Sequence, residues 1–227
     1  MASQNPSLSA ELFQAIRGSH VQLNRLITAR LPLCLPPHTA NPFLYASGMT
    51  VFAHLYAAIE TAMDELVPSS AAAATSTTPT DPRVTKMLRT LHTSGLARSD
   101  RLGQDLDETI QQYRTDLHAL LLARPHLILA WSWNMYLGIF NGGRFIRQTL
   151  RDAGPDEKKE NQTQTQLRFW EFDGYMDGDD IKDEFKLNLE AASELLTAAE
   201  REEVVHEVGR VMDVCQEIVV RLDELVK

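Results

Sequence analysis

Cysteine is nearly absent from this chain: Cys34 and Cys215, far apart in sequence, are the only two. That excludes a disulfide framework and a metal–thiolate cluster, and makes a reducing compartment the default. Long apolar runs are missing as well. The longest stretches fall far short of the ~20 residues of a spanning helix. The opening Met1–Pro6 has neither the basic nor the apolar region of a signal peptide, and Arg221–Lys227 reads as amphipathic rather than as an anchor. Positive charge is in deficit, with 22 Lys and Arg against 31 Asp and Glu for a net charge of −9, and no basic stripe runs along a predicted face. A nucleic-acid partner is therefore not expected. Strand-type alternation, internal repeats, and the P-loop, Gly-x-Ser-x-Gly and Rossmann patterns are all lacking. These absences point to a cytoplasmic all-α protein without a membrane anchor.

What is present is helical periodicity almost throughout. The chain has 227 residues, room for one domain with a substantial core and little room for a second. A first helix starts at a Ser7 or Ser9 cap and carries Phe13, Ile16, His20, Leu23 and Ile27 at three–four spacing, until Pro32, Pro36 and Pro37 end it. A second runs from about Pro42 to Val67. Residues 68–82 are small, polar and proline-punctuated, and read as a mobile surface loop within one domain spanning 1–227. Helices are expected near Arg83–Leu96, Leu102–Ala123, from Pro125 to about Ala153, and from about Gly178 to Leu196. Thr197 and Glu200 form a capping box for the last helix, whose stripe is Val204, Val208, Val211, Cys215, Ile218, Leu222 and Leu225.

The segment Tyr136-Leu137-Gly138-Ile139-Phe140-Asn141-Gly142-Gly143-Arg144 sets three glycines inside one of these helices. Each costs roughly 1 kcal/mol relative to alanine in a helix interior. Such a cost implies a kink, or a backbone that must lie flat against a large ligand with no Cβ in the way. In the first helix His20 sits on the apolar face with Arg17 three residues before it. A haem ligand needs an imidazole facing an apolar slot and a cation near its rim. A core histidine holding one hydrogen bond satisfies the same spacing.

The glycine segment resembles the distal-helix motif of the haem oxygenase family, Tyr-Leu-Gly-Asp-Leu-Ser-Gly-Gly-Gln. Tyr136, Leu137, Gly138, Gly142 and Gly143 match it. The stretch from Leu8 to His20 is similar to the family's proximal helix. Phe169-Trp170-Glu171-Phe172 followed by Lys182 and Lys186 is similar to its late aromatic segment and basic helix. The resemblance implies a haem oxygenase-like multi-helical fold with b-type haem as cofactor or substrate. It gives His20 as the iron ligand, and Arg17, Lys182, Lys186, Tyr136 and Gly143 as haem-binding positions. Gly138, Asn141 and Gly142 fall on the catalytic wall. It further implies ring cleavage to biliverdin, carbon monoxide and iron, with an external reductase as electron donor. The family's aspartate, which orders proton-carrying water, falls on Ile139. Trp131 and Trp133 stand where members often have His and Tyr, and Phe13 where an outer lysine is common. A drier, bulkier distal side follows.

Two other readings stay open. One is a non-cleaving haem carrier, sensor or other oxidant; the other is a helical scaffold without cofactor. Glu203-Val-Val-His206 has the Glu-x-x-His spacing of di-iron sites, but such sites need a second pair, so a solvated pair is expected. His54, His92, His118 and His126 have no ligand spacing.

Overall fold

A computed structural model describes residues 6–34, 43–67, 81–98, 108–152 and 168–225. The loop expected over 68–82 lies, except for Asp81 and Pro82, outside the described residues. Among the described residues every regular element is helical. α1 spans Leu8–Arg30, α2 Phe43–Leu66, α3 Pro82–Leu91, α4 Glu108–Ala123, α5 Ile128–Gly138, α6 Arg144–Asp152, α7 Asp179–Ser193 and α8 Ala198–Leu225. Between α5 and α6 the chain does not break; Ile139–Gly143 continues as a π-helical turn.

Helix ends follow local chemistry. Ser7 caps α1, its Oγ accepting the Ala10 N–H at 3.2 Å. Asp81 caps α3 with Pro82 at its first position, where a missing N–H costs nothing. The Thr197–Glu200 box closes as expected. The Thr197 N–H donates to Glu200 Oε2 at 2.8 Å, and the Glu200 N–H donates to Thr197 Oγ1 at 3.2 Å. Arg83 then donates to both carboxylate oxygens of Glu200, at 2.7 and 2.8 Å, and ties α3 to the start of α8.

The predicted stripe of α8 is the spine of the core, with Val204, Val208, Val211, Cys215 and Ile218 all buried. α1 packs along it through Leu8, Leu12, Ile16 and Leu23. This corrects one expectation, because Phe13 is 57% exposed. The buried row of α1 is the four-apart series 8, 12, 16, and Phe13 stands one residue off it, on the solvent side. Glu11 accepts from Arg201 across the α1–α8 seam, with a closest distance of 3.0 Å. α2 packs on α4, α3 on α7, and α5 on α8. No helix among the described residues is long and apolar enough to cross a membrane.

Candidate functional site

The π-helical turn is where the three glycines fall, and they divide by what surrounds them. A Cβ on Gly143 would sit 2.5 Å from Trp170 Cε3, so this glycine exists to admit the indole of the 168–170 turn. A Cβ on Gly138 or on Gly142 would meet no atom within 4 Å. Packing therefore accounts for one glycine of the three, and roughly 2 kcal/mol of helix cost is spent on a bare face that no described residue covers. A π turn inside an α-helix is rare and is frequently found at functional sites.

Behind that face the segment is braced. Ile139 and Phe140 are buried, at 2% and 1% exposure. Phe140 stacks on Phe172 with ring centroids 4.0 Å apart. Arg147 pairs with Asp177, and its guanidinium donates to the Trp170 carbonyl at 3.0 Å. Arg144 reaches Asp179 Oδ1 at 2.7 Å and the Asp177 carbonyl at 2.7 Å. Burial pushes the Asp177 carboxyl up. The hydrogen bonds from Arg147 and the Phe172 N–H, with the charges of Arg147 and Arg144, outweigh it and hold the group below its usual range. Gly178 opens α7 in the left-handed region, with φ at +81°, where a Cβ would also strike Phe172.

Tyr136 lies in the interior, two residues before Gly138 and hence on a nearly opposite helix face. Its hydroxyl donates to Glu60 Oε1 at 3.1 Å, and Glu60 also accepts the Arg98 N–H at 2.7 Å. Tyr56 donates to the Met135 carbonyl at 2.7 Å and packs 5.6 Å from the Tyr136 ring. Burial raises both phenols well above their ordinary range. These groups brace α5 from within. Nothing in the sequence marked Glu60: it is one of three acids on α2, with Asp64 and Glu65, and gives no hint of a partner 76 residues away.

On the open side, Lys182 of α7 donates to Asn141 Oδ1 at 2.8 Å. Burial first, then the neighbouring charges of Lys186 and Arg144, lower the Lys182 ammonium from its usual range. Lys186 is half-exposed, 3.7 Å from Asp183. α7 also reaches α1, where Glu190 accepts from the Leu8 and Ser9 N–H groups at 2.8 and 2.9 Å. Trp133 donates to Ser9 Oγ at 3.2 Å, which joins α5 to the same helix end. α1, α5 and α7 thus meet at Ser9, and from there α7 leads back to Asn141. His20 lies on α1 about 17 Å beyond Ser9, at roughly 1.5 Å rise per residue. Its imidazole is half-buried, and Nδ1 has Asn24 Nδ2 at 3.4 Å. An amide NH2 only donates, so this contact makes Nδ1 the acceptor and leaves the ring proton on Nε2; ligation through Nε2 requires the Asn24 amide to turn its oxygen to Nδ1–H. Arg17 is exposed one turn earlier.

Two side groups resolve differently. Glu203 pairs with His126 at 2.5 Å and with Arg124 at 2.6 Å, two partners that the Glu203–His206 spacing did not suggest. Trp131 is buried and donates to Glu207 Oε1 at 3.0 Å.

The Heme oxygenase family model matches residues 7–219, and the chain belongs to that family. The haem-binding protein HMX1 of Saccharomyces cerevisiae is 23% identical over 92% of this chain and 73% of its own length. Among solved structures, haem oxygenase 2 from Chlamydomonas reinhardtii without haem superposes with a TM-score of 0.72. It is 20% identical, with 94% of this chain and 96% of that one covered. Haem oxygenase-2 from Synechocystis sp. PCC 6803, solved with haem and NO, gives 0.71 at 17% identity, with 98% and 87% covered. At these identities the likeness speaks for the fold.

Proposed function

We propose that this protein binds one b-type haem between the His20 face of α1 and the bare face of Gly138 and Gly142. The observation that carries this reading is that face, where two glycines in a braced helix leave room that no described side chain fills. A porphyrin is flat and mostly apolar, and backbone without Cβ lets it approach within van der Waals contact. His20 Nε2 is the iron ligand, a role that needs the proton on Nδ1 and the Asn24 amide turned so that its oxygen accepts it. Arg17, Lys182 and Lys186 are the cations available to the two propionates, with Gly143 and Tyr136 supporting the wall from behind. The family membership and the haem-binding yeast relative support the same ligand.

Haem, when bound, supplies the iron at which oxygen is activated. The leading activity is oxidative opening of the ring to biliverdin, carbon monoxide and iron, with electrons from a separate reductase. The chain's own contribution is to hold the ring edge-in, to ligate through a neutral imidazole and to exclude bulk water. A second reading is favoured by one observation. Ile139 is 2% exposed at the position of the family's aspartate, so no carboxylate there orders water or passes a proton. In that reading the haem is carried or sensed and not cleaved.

Titration of the purified protein with ferric haem, beside His20→Ala, tests the site. A Soret band saturating at one haem per chain and shifted or lost in the variant is expected. An identical band in both removes His20 from the iron. Addition of reductant and oxygen to the saturated protein then separates the two activities: conversion of the Soret band to biliverdin absorption supports cleavage, and a stable ferrous–oxygen spectrum supports the carrier.

A further inference from the structure

Lys182 and Asn141 together do something that a propionate-binding lysine alone does not. An ammonium has three donors and no acceptor. Its contact with Asn141 at 2.8 Å therefore fixes which end of the amide faces it: the oxygen must, and the NH2 must point elsewhere. Asn141 lies three residues after Gly138 and one before Gly142, at the margin of the bare face. Its side chain has no other hydrogen-bond partner among the described residues. The lysine comes from another helix, which is itself pinned. α7 is fastened at its start, through Asp179 to Arg144, and near its end through Glu190 to the first turn of α1. The amide is thus held from outside its own helix.

We propose that Asn141 is the distal hydrogen-bond donor to small anions and diatomic ligands bound at this face, and that Lys182 is the positioning residue that keeps its amide donor-side in. This rests on the haem reading above and deepens it. The wall loses a carboxylate at Ile139, which could accept and relay protons, and presents an amide that only donates. A donor-only wall strengthens the binding of ligands that carry partial negative charge, and has no basic site to pass a proton on. Lys182 is partly buried beside Lys186 and Arg144, with Asp179 and Asp183 only partly offsetting these like charges and Asn141 Oδ1 in hydrogen-bond contact. The groups facing the lysine are thus three acceptors and two cations, and the Asn141 oxygen is the acceptor within hydrogen-bond distance.

Fluoride binding to the ferric, haem-saturated protein tests the proposal at fixed pH, with the wild type beside Asn141→Leu, Asn141→Asp and Lys182→Met. Fluoride accepts hydrogen bonds strongly and needs no turnover to be read. Removing a donor to a charged acceptor corresponds to a loss of about tenfold or more in affinity. Asn141→Leu is expected to weaken fluoride by about tenfold. Asn141→Asp, which keeps the size and the Lys182 contact but has no donor, is expected to weaken it at least as much. Lys182→Met frees the amide to turn over, and is expected to weaken fluoride by a smaller factor. Equal fluoride affinity in wild type and both Asn141 variants overturns the donor role and leaves the haem site standing. Weakening in Lys182→Met with none in Asn141→Leu also overturns it, and makes the lysine charge itself the attraction. A wild type that forms no saturable haem complex overturns the haem reading and this inference together.

Discussion

Phe140 and Phe172 stack with their rings 4.0 Å apart and only 16° from parallel, although they come from segments more than thirty residues apart. The Arg98 guanidinium lies 3.9 Å from the centroid of the same Phe172 ring. Two groups at that distance cannot share one face, so Phe172 is held between Phe140 and Arg98. Arg98 is itself fully buried, with Nη1 on the Glu171 carbonyl at 3.0 Å and Nη2 on the Gly95 carbonyl at 2.6 Å. This sandwich links the π-helical turn to the chain before α7.

Removal of the middle ring should therefore be costly twice over. Phe172→Ala is expected to destabilise the protein by about 3–5 kcal/mol, the usual range for emptying a buried phenylalanine site. Urea unfolding measures this. A loss below about 1 kcal/mol would mean that the ring carries no such brace.

The glycines should separate by position. Gly143→Ala forces a methyl against the Trp170 indole and is expected to cost about 1–3 kcal/mol. Gly142→Leu meets open space and is expected to be neutral or stabilising by up to about 1 kcal/mol. It should nevertheless lower haem affinity at least tenfold, by standing where the porphyrin would lie. Thermal unfolding and Soret titration on the two variants give the four numbers. A Gly142→Leu protein that binds haem as well as wild type would move the ligand off this face.

Restoring the family's aspartate should not restore its role. Ile139 is buried, and its Cγ2 would lie 3.3 Å from a Cβ on Gly143. Ile139→Asp places a carboxylate among apolar atoms, and is expected to cost about 3 kcal/mol or more at neutral pH. Burial raises the folded-state pKa of such an acid, so the penalty is complete above that raised value, shrinks as pH falls from it toward the unfolded value, and is gone below the unfolded value. Stability of the variant relative to wild type should therefore improve on mild acidification. A pH-independent difference would show that the new carboxyl reaches water.

The α3–α8 latch gives the opposite sign. Hydrogen bonds from Arg83 lower the Glu200 carboxyl from 4.5 to about 2. A folded-state pKa depressed in this way contributes stability that is complete above about 4.5 and is lost as pH falls toward 2. With both side chains partly in solvent, the contribution is about 1–2 kcal/mol after screening. Glu200→Gln is expected to be less stable than wild type by that amount at pH 7, with the gap closing between pH 4.5 and 2. Guanidinium titrations would mask charge, so urea is the denaturant to use.

Most helices were legible because local rules decide them. The α8 stripe follows from its spacing and the Thr197 box from cap chemistry within four residues, whereas the helix expected over Arg83–Leu96 begins at Pro82, inside the expected loop, and stops at Leu91. The glycine segment was legible as an anomaly, since three helix-weakening residues within six positions demand a cause. What was not legible depends on distance along the chain. Phe13 looked like a core residue because the three–four rule accepts two adjacent stripes, and only the packing of α8 chose Leu8, Leu12 and Ile16. Tyr136 matched a family position, but the sequence did not say that its hydroxyl would turn to Glu60. The resemblance put Asn141 on the catalytic wall and Lys182, 41 residues later, among the haem-binding positions, but nothing in the sequence paired the two. The Asp177 clamp rests on a tight turn with Met176 and Asp177 at positive φ, a conformation that neither residue type announces.

The π-helical turn has a consequence for how this rod is timed. An α-helix turns its side chains by about 100° per residue, and one π turn holds an extra residue in the same rise. Everything after Gly143 is therefore out of phase with everything before Gly138 by about one residue's rotation. Arg144 and Arg147 are aimed at Asp177 and Asp179 in that second phase, and Gly138 faces open space in the first. Deleting a single residue from Ile139–Gly143 would bring the two halves back into step. The rod could then keep its arginine clamp or its bare face, but not both.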